Sequence, residues 1–356
     1  MTDVLIVGAG IAGSALAIGL ARQGREVTLL DRSEFPREKA CGEGLMPAGV
    51  EALERLGIPL RGTAFRGVRY RCGEQIVPGV FPDKRNGLGI RRHFLDAALW
   101  NAARAEANVR VVRVIADAPL YDGDSVAGVT ANGIEYRARL TVAADGANST
   151  LRHKLGWDAS PVSRRFGLRR HFRLAAGISA PPWVDVFLDP HQETYVTPLP
   201  ERELLVAVLR DHNSEAPLPP AVQELLLGAE EIGTPLGASP LTVRAKQRTA
   251  QGCVLLGDAA GNCDPITGGG MSQALLSAEL LSRHMRNLRL DLEAFDRERE
   301  AMLADYRRLT AAVLAMAQRP LLTRAALSIL GTSPSLFSHL MGVAGGTRSL
   351  LPWRIA

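Results

Sequence analysis

The chain has 356 residues, 46% hydrophobic and 22% charged, which is typical of a globular protein long enough for two interleaved domains. Its net charge of +5 is mild and its arginines form no dense stripe, which argues against nucleic-acid binding. The four cysteines lack metal-ligand spacing and there is no secretory signal, so we predict a cytoplasmic protein without a metal site. No apolar run is long enough to predict a transmembrane helix.

The chain opens with the pattern of a dinucleotide-binding βαβ unit. An apolar run at 4–7 predicts a buried parallel strand, a helical pattern follows at 14–23, and a second strand at 26–30 ends in Asp31. The turn after the first strand has the form G-x-G-x-x-G and contains Gly8, Gly10 and Gly13.

Each glycine of this turn has a physical reason. Gly8 permits the tight turn, Gly10 lets the backbone approach a pyrophosphate, and Gly13 lets helix and strand pack closely. The helix N-terminus offers free N–H groups to phosphates, and Asp31 can accept hydrogen bonds from a ribose diol. The alternative is a glycine turn in a nucleotide-free α/β protein.

A loop at 32–47 follows, in which Gly42 and Gly44 allow close approach to a flat or bulky ligand. Cys41 is either a neighbour of a cofactor ring or a small buried residue. Glu43 is either a carboxylate of the site or a solvated one.

The next part of the chain alternates helices and strands. We predict helices at 47–56 and 90–107, and at the start of the second we favour Arg92 over Arg91 as a phosphate ligand. The last strand before residue 143 runs into Asp145, which serves either a structural turn or a cofactor, and Asn148 or Ser149 caps the helix that follows. The predicted strands are 67–81 (strand-like), 109–114, 125–131 and 134–142.

Residues 161–244 contain alternating runs punctuated by prolines, which predict a mostly antiparallel sheet and a helix near 221–227. A buried strand at 253–256 then leads to Asp258, and the glycine-rich turn from Pro265 to Gly270 enters a helix near Met271. This turn predicts a second nest of backbone donors facing a ligand, and Asp258 can accept from a sugar hydroxyl. A packing turn is the alternative.

The tail from Leu288 is predicted to be helical, with a break at Arg319-Pro320. We interpret its apolar stretch at 311–330 as core packing, and a lid or a membrane-surface contact is the alternative.

Three motifs together resemble the FAD-dependent aromatic hydroxylase (group A flavoprotein monooxygenase) and geranylgeranyl reductase superfamily. They are the G-x-G-x-x-G turn with Asp31, Ala144-Asp145-Gly146, and Gly257-Asp258-Ala259-Ala260. The resemblance implies an α/β fold: a doubly wound, Rossmann-like FAD domain with an inserted antiparallel β-sheet substrate domain and a helical C-terminal tail. The implied division is 1–66, 88–160 and 245–287 for the FAD domain, 67–87 and 161–244 for the substrate domain, and 288–356 for the tail.

By this resemblance Asp31 binds the adenosine ribose, Arg92 the pyrophosphate and Asp258 the ribityl chain, and 265–271 lies along the flavin ring. Reducing power comes from NAD(P)H or an external reductase. The full set of expected FAD-binding residues is Gly8, Gly10, Ala12, Gly13, Asp31, Arg37, Cys41, Gly42, Gly44, Arg92, Asp145, Asp258, Pro265, Gly268, Gly269, Gly270 and Met271.

Two reactions fit this superfamily. The segments at 35–45 and 257–270 look like the reductase branch, whereas Tyr195-Val-Thr-Pro-Leu-Pro200 looks more like bacterial hydroxylases of phenols, polyketides and phenolic lipids. We therefore expect a monooxygenase that hydroxylates a phenolic, polyketide or lipid-like secondary metabolite through a flavin hydroperoxide. The alternatives are an ene-reductase for polyprenyl or polyene chains, with Cys41 near the ring, and a non-catalytic flavin-binding protein. No catalytic base and no oligomeric state are predicted.

Overall fold

The computed structural model describes residues 2–59, 61–159, 165–211, 216–286 and 291–351. Pro161 and Leu288, where the sequence predicts the second domain and the tail to begin, lie outside these ranges. The strands are β1 Thr2–Val7, β2 Val27–Asp31, β3 Gly44–Leu45, β4 Thr63–Phe65, β5 Gly67–Cys72, β6 Gln75–Val80, β7 Gly87–Gly89, β8 Val109–Arg113, β9 Ala118–Asp122, β10 Ser125–Ala131, β11 Ile134–Ala143, β12 Arg165–Arg173, β13 Val184–Asp189, β14 Gln192–Pro198, β15 Glu203–Asp211, β16 Glu230–Ala238, β17 Thr249–Ala250 and β18 Cys253–Leu255. The α-helices are α1 Ile11–Ala21, α2 Pro47–Arg55, α3 Arg92–Ala105, α4 Thr150–Lys154, α5 Pro220–Leu225, α6 Gly270–His284, α7 Leu292–Ala317, α8 Pro320–Thr332 and α9 Pro334–Ala344.

The first sheet has the order β17-β18-β11-β1-β2-β8, and its central neighbours are parallel. Val4 on β1 pairs with Val27 on one side and Leu140 on the other. The strands carry apolar side chains on both faces because both faces are covered, one of them by α1, α3 and α6. The carboxyl ends of β1, β2, β11 and β18 therefore meet along one edge, which is where open α/β sheets bind ligands.

The second sheet has the order β16-β12-β15-β14-β13-β5-β6 and is antiparallel except where β13 pairs with β5. Strands β5 and β6 come from 67–80, far from the other five in sequence. One face of this sheet contributes Val68, Val184 and Val186 to a core shared with α8 and α9. Strands β3, β7 and β4 form a separate small sheet.

The predicted α/β fold with a separate, mostly antiparallel sheet and a helical tail is confirmed. Most predicted elements are present within a few residues of their expected bounds. Strands β9 and β16 were not predicted from the sequence, nor were the short strands β3, β4, β7 and β17. Strand β16 was missed because most of its side chains are exposed, so it has little of the apolar alternation that marks a half-buried strand.

The interpretation of 311–330 as core packing is wrong for most of α8. This helix begins at Pro320, as the predicted break requires, but it buries only Thr323 and Leu327. Leu321 is 81% exposed and Ile329 is 60% exposed. The outward face of α8 carries leucine and isoleucine as well as the inward face. The sequence therefore has the apolar pattern of a buried helix although most of α8 is exposed.

Candidate active site

A cavity of about 760 Å³ lies between the carboxyl edge of the first sheet and the inner face of the second. It is lined by the glycine turn after β1, the end of β2, the loop before β3, the start of α3 and the turn before α6. Its volume is in the upper part of the range for ligand pockets. The sequence motifs, which extend from Gly8 to Met271, therefore meet at one site.

The glycine turn exposes the first turn of α1 to this cavity. Gly10 is the N-cap of α1 and no side chain caps the helix, so its first N–H groups remain available to an anion. A Cβ on Gly8 would lie 2.3 Å from the carbonyl oxygen of Ala144, and a Cβ on Gly13 would lie 1.8 Å from that of Gly8. These two glycines shape the turn itself.

Asp31 ends β2 with its carboxylate buried at the cavity. Its Oδ2 accepts a hydrogen bond from the backbone N–H of Ala9 at 2.6 Å, and its Oδ1 accepts from Ser33 N–H at 2.8 Å. The guanidinium of Arg37 lies 3.3 Å from Asp31 and 3.4 Å from Asp96. The side chain is thus fixed at the strand end while remaining part of the cavity lining.

The start of α3 places a cluster of charged groups beside the glycine turn. Arg92 is buried and pairs with Asp96 through two hydrogen bonds of 2.8 and 2.9 Å. Burial, reinforced by the Arg92 charge, lowers the pKa of the Lys39 ammonium. Burial also raises the pKa of the Cys41 thiol, against the opposing effect of Arg92. The lowered pKa shows that the neighbours of the Lys39 ammonium compensate its burial only in part, which suits an anionic ligand.

Residues 38–43, the cavity loop, are held by side chains of the second sheet. Glu43 is fully buried, has a φ of +54° and accepts a hydrogen bond from the Nε2 of His171 at 2.7 Å. It also accepts from the backbone N–H of Arg92 at 2.9 Å. The hydroxyl of Thr197 donates to the carbonyl oxygen of Gly42 at 2.9 Å. These three hydrogen bonds fix the cavity loop against the start of α3 and against strands β12 and β14 of the second sheet.

The tautomer of His171 follows from its partners. Its Nδ1 lies 2.7 Å from the NH1 of Arg169, and a guanidinium only donates hydrogen bonds. Nδ1 must therefore accept, and the proton sits on Nε2, where it is donated to Glu43. Arg169 is itself paired with Glu38 of the cavity loop.

The glycine-rich turn before α6 is supported from behind by α7. The hydroxyl of Tyr306 lies 2.6 Å from Thr267 Oγ1 and accepts from the N–H of Gly269 at 2.9 Å. A Cβ on Gly269 would lie 2.4 Å from the Tyr306 ring, whereas a Cβ on Gly270 would meet nothing within 4 Å. Gly270 thus faces the cavity and Gly269 faces the helix.

The inner face of the second sheet forms an apolar wall that carries two partly buried tyrosines. Tyr195 donates its hydroxyl to the carbonyl oxygen of Ile266 at 3.0 Å. Burial raises the pKa of Tyr70 to about 12 and that of Tyr195 well above its ordinary value. Among the described residues, Arg169 is the one charged side chain that this sheet contributes to the lining. The aliphatic part of the wall is Val68, Leu168, Val184, Val186, Ala207, Leu209 and Leu236.

The structure brings fifteen of the seventeen expected residues to this cavity. Gly13 and Gly269 do not line it, because each faces protein atoms as described above. Asp145 lines it, but its oxygens accept from the Ser149 hydroxyl and the Leu151 N–H, which favours the structural alternative for this carboxylate. Ser149 caps α4, as predicted, by accepting from Arg152 N–H.

Several lining or supporting residues were not predicted from the sequence. Lys39, Thr197 and Arg299 line the cavity, and His171 supports it from β12. Of these, Lys39 carried a usable signal because it lies in a loop between two predicted ligands. The others come from strands and helices whose faces could not be assigned without the fold.

Comparison with known proteins agrees with this site. Residues 3–44 match a family model described as FAD dependent oxidoreductase, and residues 202–317 match one described as squalene epoxidase. Over 323 residues the chain is 31% identical to menaquinone reductase of Mycobacterium tuberculosis, covering 80% of this chain and 78% of that protein. The chain belongs to the FAD-dependent aromatic hydroxylase and geranylgeranyl reductase superfamily. It is an FAD-dependent oxidoreductase.

One further relative and one solved structure of similar fold are informative. The chain is 28% identical to squalene epoxidase of Schizosaccharomyces pombe, covering 79% of this chain and 68% of that protein. The structure of a flavin-dependent brominase shares its fold, with a TM-score of 0.84 and 18% identity over 97% of this chain and 93% of the other. No helix among the described residues is long and apolar enough to cross a membrane.

The glycines that line the cavity leave room for FAD. A Cβ on Gly42 or Gly270 would meet no atom within 4 Å, and one on Gly10 would meet only the end of Arg37, at 3.4 Å. All three glycines line the cavity, so packing within the chain does not explain them. Close approach of a large, flat, anionic ligand does. The uncapped N-terminus of α1 and the Arg92 and Lys39 charges supply what a diphosphate requires.

Proposed function

We propose that this flavoprotein is a monooxygenase that acts on a double bond of a neutral, hydrocarbon-rich substrate of isoprenoid type. The observation that carries the proposal is the apolar inner wall of the second sheet. Hydroxylation of a phenol begins with its deprotonation. The carboxylates and the amine of the cavity loop lie on the side that we assign to FAD, and the described residues of the sheet wall offer no carboxylate, imidazole or amine. An electron-rich alkene needs no such base.

We assign the FAD-binding roles as follows. Asp31 holds the adenosine ribose, Arg92 and the N-terminus of α1 hold the diphosphate, and Asp258 holds the ribityl chain. The turn at 265–271 and the cavity loop lie along the flavin ring. The proposed domain division remains 1–66, 88–160 and 245–287 for FAD, 67–87 and 161–244 for substrate, and 288–356 for the tail.

Bound FAD would supply the redox chemistry, which is two-electron transfer and, in monooxygenases, oxygen activation. The residues of the chain bind and orient the reactants and exclude water. The Tyr70 and Tyr195 hydroxyls are neutral at physiological pH, as tyrosine hydroxyls ordinarily are, and burial raises their pKa values further. They therefore add no charge to the wall that an alkene would contact. We propose NAD(P)H or an external reductase as the electron donor, and a cytoplasmic location, which fits the four free cysteines.

A second candidate function is reduction of the same kind of double bond, and Cys41 favours it. Its thiol lines the cavity and stays protonated at neutral pH, because burial raises its pKa. A protonated thiol at the flavin could hold the proton that an alkene carbon needs when a hydride is delivered to its neighbour. The relatives carry the names of both reactions, menaquinone reductase and squalene epoxidase.

In the test, the holoenzyme is incubated with squalene or with menaquinone and a chemical or enzymatic reductant. Each incubation is carried out in air and under argon. A monooxygenase adds one oxygen atom to the product and consumes oxygen in proportion. An ene-reductase adds two hydrogen atoms and works under argon. Cys41→Ser should abolish the second reaction and leave the first largely intact.

A further inference from the structure

The outward face of α8 carries an apolar stripe that no part of the described chain covers. Leu321, Ala325 and Ile329 follow one another at intervals of four residues, so they lie along one side of the helix. Leu322, 51% exposed, stands beside them. Single exposed leucines are ordinary, but a contiguous row on one helix marks a contact surface.

The C-terminal segment that contains this stripe carries charged side chains of one sign. Six of the 42 basic residues and none of the 37 acidic residues lie after Asp305, which leaves the first 305 residues at a formal net charge of −1. Arg319 and Arg324 flank the stripe and are exposed. Arg319 donates to the backbone oxygen of Ala315, and neither arginine has an acidic partner among the described residues.

The opposite face of α8 packs into the core beside the cavity. Leu327 belongs to the same core as Phe65, Val68 and Val186, which also line the cavity. A helix is about 10 Å across, so little more than this thickness separates the stripe from the apolar wall. The stripe is therefore placed where a hydrocarbon held outside the protein would be near the cavity.

We propose that α8 docks on the surface of an anionic lipid bilayer, with Leu321, Leu322 and Ile329 in the acyl boundary and Arg319 and Arg324 at the headgroups. An amphipathic helix lying in the interface combines apolar burial with attraction of basic side chains to anionic lipid, and both are present here. A protein partner of acidic surface would match the arginines but would have to supply its own apolar face. The bilayer supplies both.

The experiment is vesicle flotation of the FAD-loaded full chain. Vesicles of phosphatidylcholine alone are compared with vesicles that also contain phosphatidylglycerol. We expect binding to the anionic vesicles, a loss of at least tenfold for Leu321→Glu and for Ile329→Glu, and a loss of about thirtyfold for Arg319→Gln with Arg324→Gln. Leu227→Glu is the matched control, because Leu227 is 70% exposed but lies beyond α5 rather than on α8. Flavin content reports that each variant is folded.

Three results would overturn the proposal: no flotation of the wild type, equal binding to neutral and anionic vesicles, or an equal loss in Leu227→Glu. A concentration-dependent dimer that Leu321→Glu dissociates, without vesicle binding, would instead assign the stripe to a second copy of the chain. No substrate enters this assay, so its outcome is independent of the proposed reaction.

Discussion

Replacing Glu43 by Gln tests the arrangement that fixes the cavity loop. The two side chains have nearly the same shape, so the change removes charge and one acceptor without altering packing. In the protein two donors converge on the carboxylate, the Arg92 N–H and the His171 Nε2–H. A glutamine amide has one oxygen and therefore satisfies one of them.

No rearrangement of these hydrogen bonds satisfies both donors in Glu43→Gln. The Arg92 donor is backbone and cannot change, so the amide oxygen must serve it and the NH₂ group must face His171. His171 could accept if its proton moved to Nδ1, but Nδ1 already faces a donor of Arg169 at 2.7 Å. One buried donor–donor contact remains, and an unsatisfied buried group costs about 1–3 kcal/mol. We expect Glu43→Gln to lower the free energy of unfolding by about 2 kcal/mol and to weaken FAD binding.

The assay is urea unfolding of the apoprotein together with FAD titration by fluorescence. Adding Arg169→Met frees Nδ1 to take the proton, so the double variant should recover part of the stability lost in Glu43→Gln. Glu38 keeps Arg91 as a partner, so loss of Arg169 leaves it paired. A Glu43→Gln protein as stable as the wild type, or strictly additive effects of the two changes, would refute the assigned tautomer.

Three other perturbations test the FAD site. Gly10→Ala should leave the stability of the protein nearly unchanged and weaken FAD binding at least tenfold. Gly13→Ala should prevent folding of the turn, because its Cβ would lie 1.8 Å from a carbonyl oxygen. An equal loss of stability in the two variants would contradict this difference. Asp258→Ala should release FAD on gel filtration, with Asp258→Asn retaining more, and normal flavin content in the alanine variant would remove Asp258 from the site. Because the pKa of Lys39 is lowered in the folded protein, this lysine opposes folding below its ordinary pKa of 10.5 and ceases to do so above it. Lys39→Met should therefore stabilise the apoprotein at pH 7 but not near pH 11, and should weaken FAD binding; equal stabilisation at both pH values would show that desolvation of the charge is not the cause.

The part of the site that could be predicted is the part encoded by backbone geometry. Gly10, Asp31 and Asp258 stand at strand ends and turns whose spacing fixes their positions before any tertiary contact is known. Glu43 shows the limit. Its hydrogen-bond partner His171 is 128 residues away in the sequence, on β12 of the second sheet. The pair forms only because the fold brings β12 beside the cavity loop.

The exposed stripe of α8 shows a second limit. Its apolar spacing is the same as that of a helix buried in a core, and the sequence does not say which face is covered. Only the position of α8 at the edge of the second sheet, with Leu327 inward and Leu321 outward, separates the two interpretations.

The central claim is that an FAD-dependent monooxygenase acts on an alkene in the cavity between the two sheets. The most direct measurement is product mass spectrometry after incubating the reduced holoenzyme with polyprenyl hydrocarbons under ¹⁸O₂. We expect a product that carries one ¹⁸O atom and does not form under argon. A product that gains two hydrogen atoms, forms equally well under argon and carries no ¹⁸O would contradict it.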